Sequence, residues 1–160
     1  MNRTHLADEI DTRPTTARDL VHLFLGKIIG RGSAREVYQC AQDGECVIKV
    51  ELEDESFQNV VEWEIWQSVK ETKFAKYFAP CVAISSNGIF LVQKKVDDLH
   101  KKDFPKKVPH FFSDRKYRNY GLYKGNFVCR DYGTMAYRVV DVMKDTKILK
   151  KANWWQEDEN

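Results

Sequence analysis

The rhythm of apolar and polar positions changes several times along the chain, and each change marks an element. Thr15-Thr16-Ala17-Arg18-Asp19-Leu20-Val21-His22-Leu23-Phe24-Leu25 has helical spacing and stops at Gly26, which predicts a short lead-in helix behind a polar arm. Lys27-Ile28-Ile29 and Glu36-Val37-Tyr38-Gln39-Cys40 then read as strands on either side of Gly30-Arg31-Gly32-Ser33-Ala34-Arg35. Asp43-Gly44 is a hairpin signal, and residues 45–51 alternate as a third strand. From 57 to 70 the apolar Val61, Ile65, Trp66 and Val69 recur at helical spacing, so an amphipathic helix follows. Val82-Ala83-Ile84 and Ile89-Phe90-Leu91-Val92-Gln93, joined by Ser85-Ser86-Asn87-Gly88, form a second hairpin. The expected class is α+β, a five-stranded antiparallel sheet with one packed helix.

Beyond the sheet the pattern weakens. Residues 97–112 are rich in lysine and contain Pro105 and Pro109, which remove donors and clash with a helical turn, so this stretch is expected to be loop. Tyr120-Gly121-Leu122-Tyr123, the turn Lys124-Gly125-Asn126, and Phe127-Val128-Cys129-Arg130 predict a short hairpin. The chain thus divides into an arm and helix (1–26), a sheet region (27–96), a basic loop with a hairpin (97–133) and a tail (134–160) whose structure the pattern does not define. No internal repeat interrupts this order.

With 160 residues, 42% apolar and 31% charged, the chain is one domain's worth of ordinary globular composition, large enough to bury a core without disulfides. No stretch approaches the roughly 20 apolar residues of a membrane span, and the polar N-terminus does not resemble a signal peptide, so a cytoplasmic location is expected. Cys40, Cys46, Cys81 and Cys129 form no C-x-x-C pair, and three of them sit in apolar runs that suit reduced core thiols. The four histidines also lack metal-ligand spacing.

The net charge of +2 is unevenly spread, since residues 94–118 hold nine Lys or Arg against four Asp. The lysines of 94–107 could receive an acidic substrate or nucleic acid, or form a solvated loop. Without the run of aromatics a stacking surface requires, nucleic acid is not the expected partner. The Trp154-Trp155 pair can dock either on this chain or on a partner.

The chemistry-bearing residues fall in a definite order. Gly30 and Gly32, followed by Val37, let a backbone approach a phosphate closely. Lys49 sits inside the apolar Val47-Ile48-Lys49 strand, and a lysine there needs a partner. Glu62 shares the inward row of Ile65, Trp66 and Val69, while Glu64 points toward Gln67 and Ser68, so Glu62 is the expected partner. Asp114-Arg115-Lys116-Tyr117-Arg118-Asn119 is then separated by eleven residues from Asp131-Tyr132-Gly133.

These residues resemble those of protein kinases: a glycine-rich loop, a strand lysine, a helix glutamate, a catalytic loop D-L-K-x-x-N and a D-F-G triplet. The resemblance implies a minimal kinase-like fold that binds ATP and Mg²⁺. Gly30, Gly32, Val37, Lys49 and the hinge residue Gln93 would hold the nucleotide, and Asn119 and Asp131 the metal. Asp114 would take the acceptor's proton and Lys116 would neutralise the transferring phosphoryl group.

Arg35 replaces the third glycine and would reach the phosphates or solvent. His110, Phe112 and Ser113 do not reproduce the H-R before the catalytic aspartate, which loosens that loop's expected anchoring. No A-P-E follows Gly133, so the substrate-docking lobe is expected to be strongly reduced. The chain is also similar to small kinase-like proteins of bacteriophages and prophages in Asn59-x-x-Glu62-x-x-x-Trp66, Ala79-Pro80-Cys81 and Cys129-Arg130-Asp131-Tyr132-Gly133. The implied function is transfer of the ATP γ-phosphoryl to a hydroxyl, such as a protein Ser or Thr. The alternative is a catalytically silent module that engages a host protein through the basic loop or the Trp tail. A homodimer could supply the missing substrate platform.

Overall fold

A computed structural model of the chain describes residues 21–52, 56–135 and 149–155. These form two compact units, one made of the residues up to Val60 with Cys81–Lys95, the other of Val61–Pro80 with the residues from Val96 on.

The first unit is a five-stranded antiparallel sheet. Its strands are β1 (Leu25–Arg31), β2 (Arg35–Cys40), β3 (Cys46–Glu51), β4 (Cys81–Ile84) and β5 (Phe90–Lys94), in the order β1-β2-β3-β5-β4. β3 is central, and its first five residues are all buried, which accounts for its nearly unbroken apolar run. Residues 21–24 are helical, but the chain is already in β1 at Leu25, so Gly26 does not end the lead-in helix. A Cβ on Gly26 would lie 3.0 Å from the Gln39 carbonyl oxygen, so glycine permits a close cross-strand approach there. The lead-in residues before Val21 lie outside the described ones.

Helix α1 (Gln58–Val69) begins in this unit, and the division falls after Val60. Its first turn is fastened to the sheet by Asn59, which is fully buried. The Asn59 amide nitrogen lies within hydrogen-bond distance of the carbonyls of Lys49, Gly88 and Ile89, at 3.2, 3.1 and 2.8 Å. Its backbone N–H donates to the Glu51 carboxylate at 2.6 Å.

The second unit contains the rest of α1, 3₁₀ turns at Ala75–Tyr77, Lys101–Asp103 and Tyr117–Asn119, and two small antiparallel ribbons. β7 (Tyr120–Tyr123) and β8 (Asn126–Cys129) are joined by Lys124 and Gly125, both at positive φ, as a two-residue hairpin of primed type requires. β6 (Lys107–Pro109) pairs with β9 (Leu149–Lys151). The stretch expected to be loop therefore carries a strand, because the tail supplies a partner that local pattern cannot reveal. Val139, Val140 and Val142 lie outside the described residues.

The core of this unit is aromatic. Phe78, Phe112, Tyr120 and Tyr132 are each 1% exposed or less. Phe78 meets Tyr132 edge-on at 5.0 Å and Phe112 meets Tyr120 at 5.0 Å. Trp154 packs on Phe104 and Tyr120, both at 5.0 Å, and its Nε1 donates to the Pro105 carbonyl at 2.8 Å. The first tryptophan of the pair is therefore docked on the chain itself. Cys46, Cys81 and Cys129 are buried. No helix among the described residues is long and apolar enough to cross a membrane.

Candidate functional site

The candidate residues fall into two sets, one in each unit. In the sheet, Gly30 pairs with Val37, Val37 with Lys49, and Lys49 with Leu91. Directly opposed residues share a face, and so do residues two apart on one strand. Gly30, Val37, Lys49, Leu91 and Gln93 therefore line one face, and Lys49 and Gln93 are buried at 4% and 1% exposure.

The glycine hairpin is closed by Gly32, whose N–H donates to the Arg35 carbonyl at 2.8 Å. Neither Gly30 nor Gly32 adopts positive φ; a Cβ at Gly32 would meet only the Arg35 carbonyl oxygen, at 3.6 Å. What glycine supplies here is open space beside the backbone. Arg31 and Glu36 brace the hairpin's two strands at 3.4 Å, and the Tyr38 hydroxyl donates to Glu36 at 2.5 Å. Burial, and then the Glu36 carboxylate, push the Tyr38 phenol up to about 12. Arg35 does not point to solvent: it is 6% exposed and its Nη1 donates to Asn59 Oδ1 at 3.2 Å. Arg35 thus supports the asparagine that fastens α1.

In the second unit the 3₁₀ turn Tyr117–Asn119 brings the chain back on Asp114. Asn119 Nδ2 donates to Asp114 Oδ2 at 3.0 Å, and Lys116 Nζ lies 3.7 Å from the same oxygen. Lys116 also sits over the Trp155 ring at 5.0 Å. Asn119 is 3% exposed, and its backbone carbonyl accepts from Arg130 N at 2.8 Å and Asp131 N at 3.4 Å. The Asp114 loop and the Asp131 triplet are therefore joined through one peptide oxygen.

Glu62, fully buried, accepts the backbone N–H groups of Tyr132 and Gly133 on Oε1 at 3.0 and 3.1 Å. A carboxylate receiving two amides is a charge-assisted anchor. Glu64 is exposed on the same helix. The Tyr132 hydroxyl donates to the Ala79 carbonyl at 2.8 Å, and Ala79 N donates to the Cys129 carbonyl at 2.8 Å. Tyrosine in place of phenylalanine thus adds a buried hydrogen bond. Lys49 and Glu62, expected as an ion pair, belong to different units.

The expected weak anchoring before Asp114 is corrected. Phe111 and Phe112 are buried at 5% and 0% exposure, and Arg115 Nε donates back to the Phe112 carbonyl at 3.3 Å. Aromatic burial anchors the loop before Asp114. Arg130 adds a second brace, its Nε on the Arg118 carbonyl at 2.7 Å and its Nη1 on Asp98 at 2.7 Å. Sequence reading missed Arg130, Asn59 and Trp155 as site supports. Only the first two had a local signal, as polar residues within Cys129-Arg130-Asp131 and Asn59-x-x-Glu62.

Among the described residues no three His, Cys, Asp or Glu side chains group as a metal centre. Asn119 and Asp131 offer an amide oxygen and a carboxylate, and the Asn119 amide nitrogen is turned to Asp114. That hard-oxygen pair suits Mg²⁺, which takes one or two carboxylates and completes its shell with phosphates and water. No protein-family model matches the chain, and no curated protein matches its sequence. The chain is thus an α+β protein with a five-stranded antiparallel sheet and, in its second unit, a partly buried carboxylate–amide–lysine cluster.

Proposed function

We propose that this protein is a kinase-like phosphotransferase that uses ATP and Mg²⁺. Gly30, Gly32, Val37, Lys49 and Gln93 hold the nucleotide; Asn119 and Asp131 hold the metal, which when bound supplies neutralisation of phosphate charge. Asp114 accepts the proton of an acceptor hydroxyl as its oxygen bonds to the γ-phosphorus, the bond to the β-phosphate oxygen breaks, and ADP leaves. Lys116 offsets the charge on the transferring group. Glu62 fixes the backbone of the Asp131-Tyr132-Gly133 segment. The observation that carries the reading is the convergence of Asn119 and Lys116 on one oxygen of Asp114, with the Asn119 carbonyl holding the Asp131 amide.

The test is incubation of the purified chain with γ-labelled ATP, Mg²⁺ and a Ser/Thr peptide library. Asp114→Ala is expected to lower transfer about 10²–10⁴-fold, the usual contribution of a general base. Labelling that Asp114→Ala leaves unchanged would sink the reading.

A further inference from the structure

The two-stranded β6–β9 ribbon gathers cations from three separate parts of the chain. Lys107 lies directly opposite Lys151, and Val108 opposite Lys150. Ala152 N donates to the Lys106 carbonyl at 2.9 Å, which extends the pairing by a step. Arg115 Nη1 donates to the Lys151 carbonyl at 3.2 Å and so stands at the ribbon's end, one residue from Asp114. Lys106, Lys107 and Lys151 are exposed and Lys150 half-buried. No carboxylate among the described residues pairs with Lys106, Lys107, Lys150 or Lys151. Like charges directly opposed on a ribbon repel, so this arrangement costs stability unless an anion lies across it. Burial, and then the Arg115 charge, hold the Lys150 ammonium below its ordinary range.

We propose that this ribbon binds a carboxylate-rich polypeptide segment. Its three residue pairs span roughly 10 Å, the length of a few extended residues. Nucleic acid fits less well: its affinity builds from many phosphate contacts along a track, and the chain's net charge is only +2. Lys116 is engaged by Asp114 Oδ2 and the Trp155 ring, at 3.7 and 5.0 Å, and is not part of the ribbon. On the phosphotransferase reading, and only there, the segment is the acidic flank of the acceptor whose hydroxyl meets Asp114.

The test measures binding of a fluorescent Glu-rich peptide carrying one serine to the full chain, without nucleotide, so that failure of catalysis does not decide it. Lys107→Glu with Lys151→Glu should raise the Kd at least about tenfold, while the charge-matched pair Lys70→Glu with Lys95→Glu, both at exposed positions off the ribbon, changes it little. Lys151→Gln serves where the double variant unfolds: relief of the opposed pair should leave its melting temperature equal or higher while peptide binding weakens. Equal effects of the ribbon pair and the Lys70 and Lys95 pair would overturn the proposal. So would tighter binding of single-stranded DNA, or of phosphatidylserine vesicles, than of the peptide at the same salt. With the peptide bound but no transfer seen, the ribbon assignment stands and the phosphotransferase reading falls.

Discussion

Single side chains in this protein do two things at once. Tyr132 illustrates it: its backbone N–H donates to Glu62, its ring fills the space beside Phe78, and its hydroxyl donates to Ala79. Tyr132→Phe keeps the first two and leaves the Ala79 carbonyl without that donor in a buried site. The expected cost is about 1–3 kcal/mol, the penalty of an unsatisfied buried polar group. Urea unfolding of the two chains measures it, and equal midpoints would show that the hydroxyl contributes nothing. The inward position of Glu62 was legible from its spacing to Ile65 and Val69, because helical period alone assigns a face. The amides that Glu62 accepts were not legible, since they lie 70 and 71 residues away.

At the level of elements, the strands read well wherever a hairpin joined them. Asp43-Gly44, Asn87-Gly88 and Lys124-Gly125 each announce a turn between two alternating runs, and the second and third place glycine at positive φ. At Gly88 a Cβ would also approach Val60 Cγ2 to 2.7 Å, so packing requires the same residue as the turn. β6 and β9 could not be read this way, being three residues each, with their pairing closed over some forty residues of chain.

Asn59 fastens the start of α1. Asn59→Ala removes the contacts of its amide to Lys49, Gly88 and Ile89 and the acceptor of Arg35, leaving an arginine buried without that bond. The loss is expected to reach about 3–5 kcal/mol, in the range that breaking a buried network produces. A change under about 1 kcal/mol in denaturant unfolding would refute the role given to it.

Over the whole molecule, the candidate residues divide as the chain does. Gly30, Gly32, Val37, Lys49 and Gln93 stand on the sheet, whereas Glu62, Asp114, Lys116, Asn119 and Asp131 stand in the aromatic unit. The order of motifs in the sequence made both sets nameable, because loop, strand lysine, helix glutamate and the two aspartate motifs each have local spacing. What spacing could not supply is the anchoring: Phe112 buried before Asp114, Arg35 turned to Asn59, and Trp154 seated on Phe104. Those arrangements depend on which distant aromatic or amide is nearby in space.

The proposed phosphotransferase function requires residues of each set to contribute to Mg²⁺–ATP binding. Thermal unfolding of the wild type, Lys49→Met and Asp131→Asn with Mg²⁺ and increasing ATP tests it most directly. Saturating nucleotide at about 100 times its dissociation constant is expected to stabilise the wild type by about 2.7 kcal/mol. Lys49→Met and Asp131→Asn, melting normally without ligand, should each lose most of that gain. A wild type whose melting temperature does not move with Mg²⁺ and ATP, or moves equally in both variants, would contradict the claim.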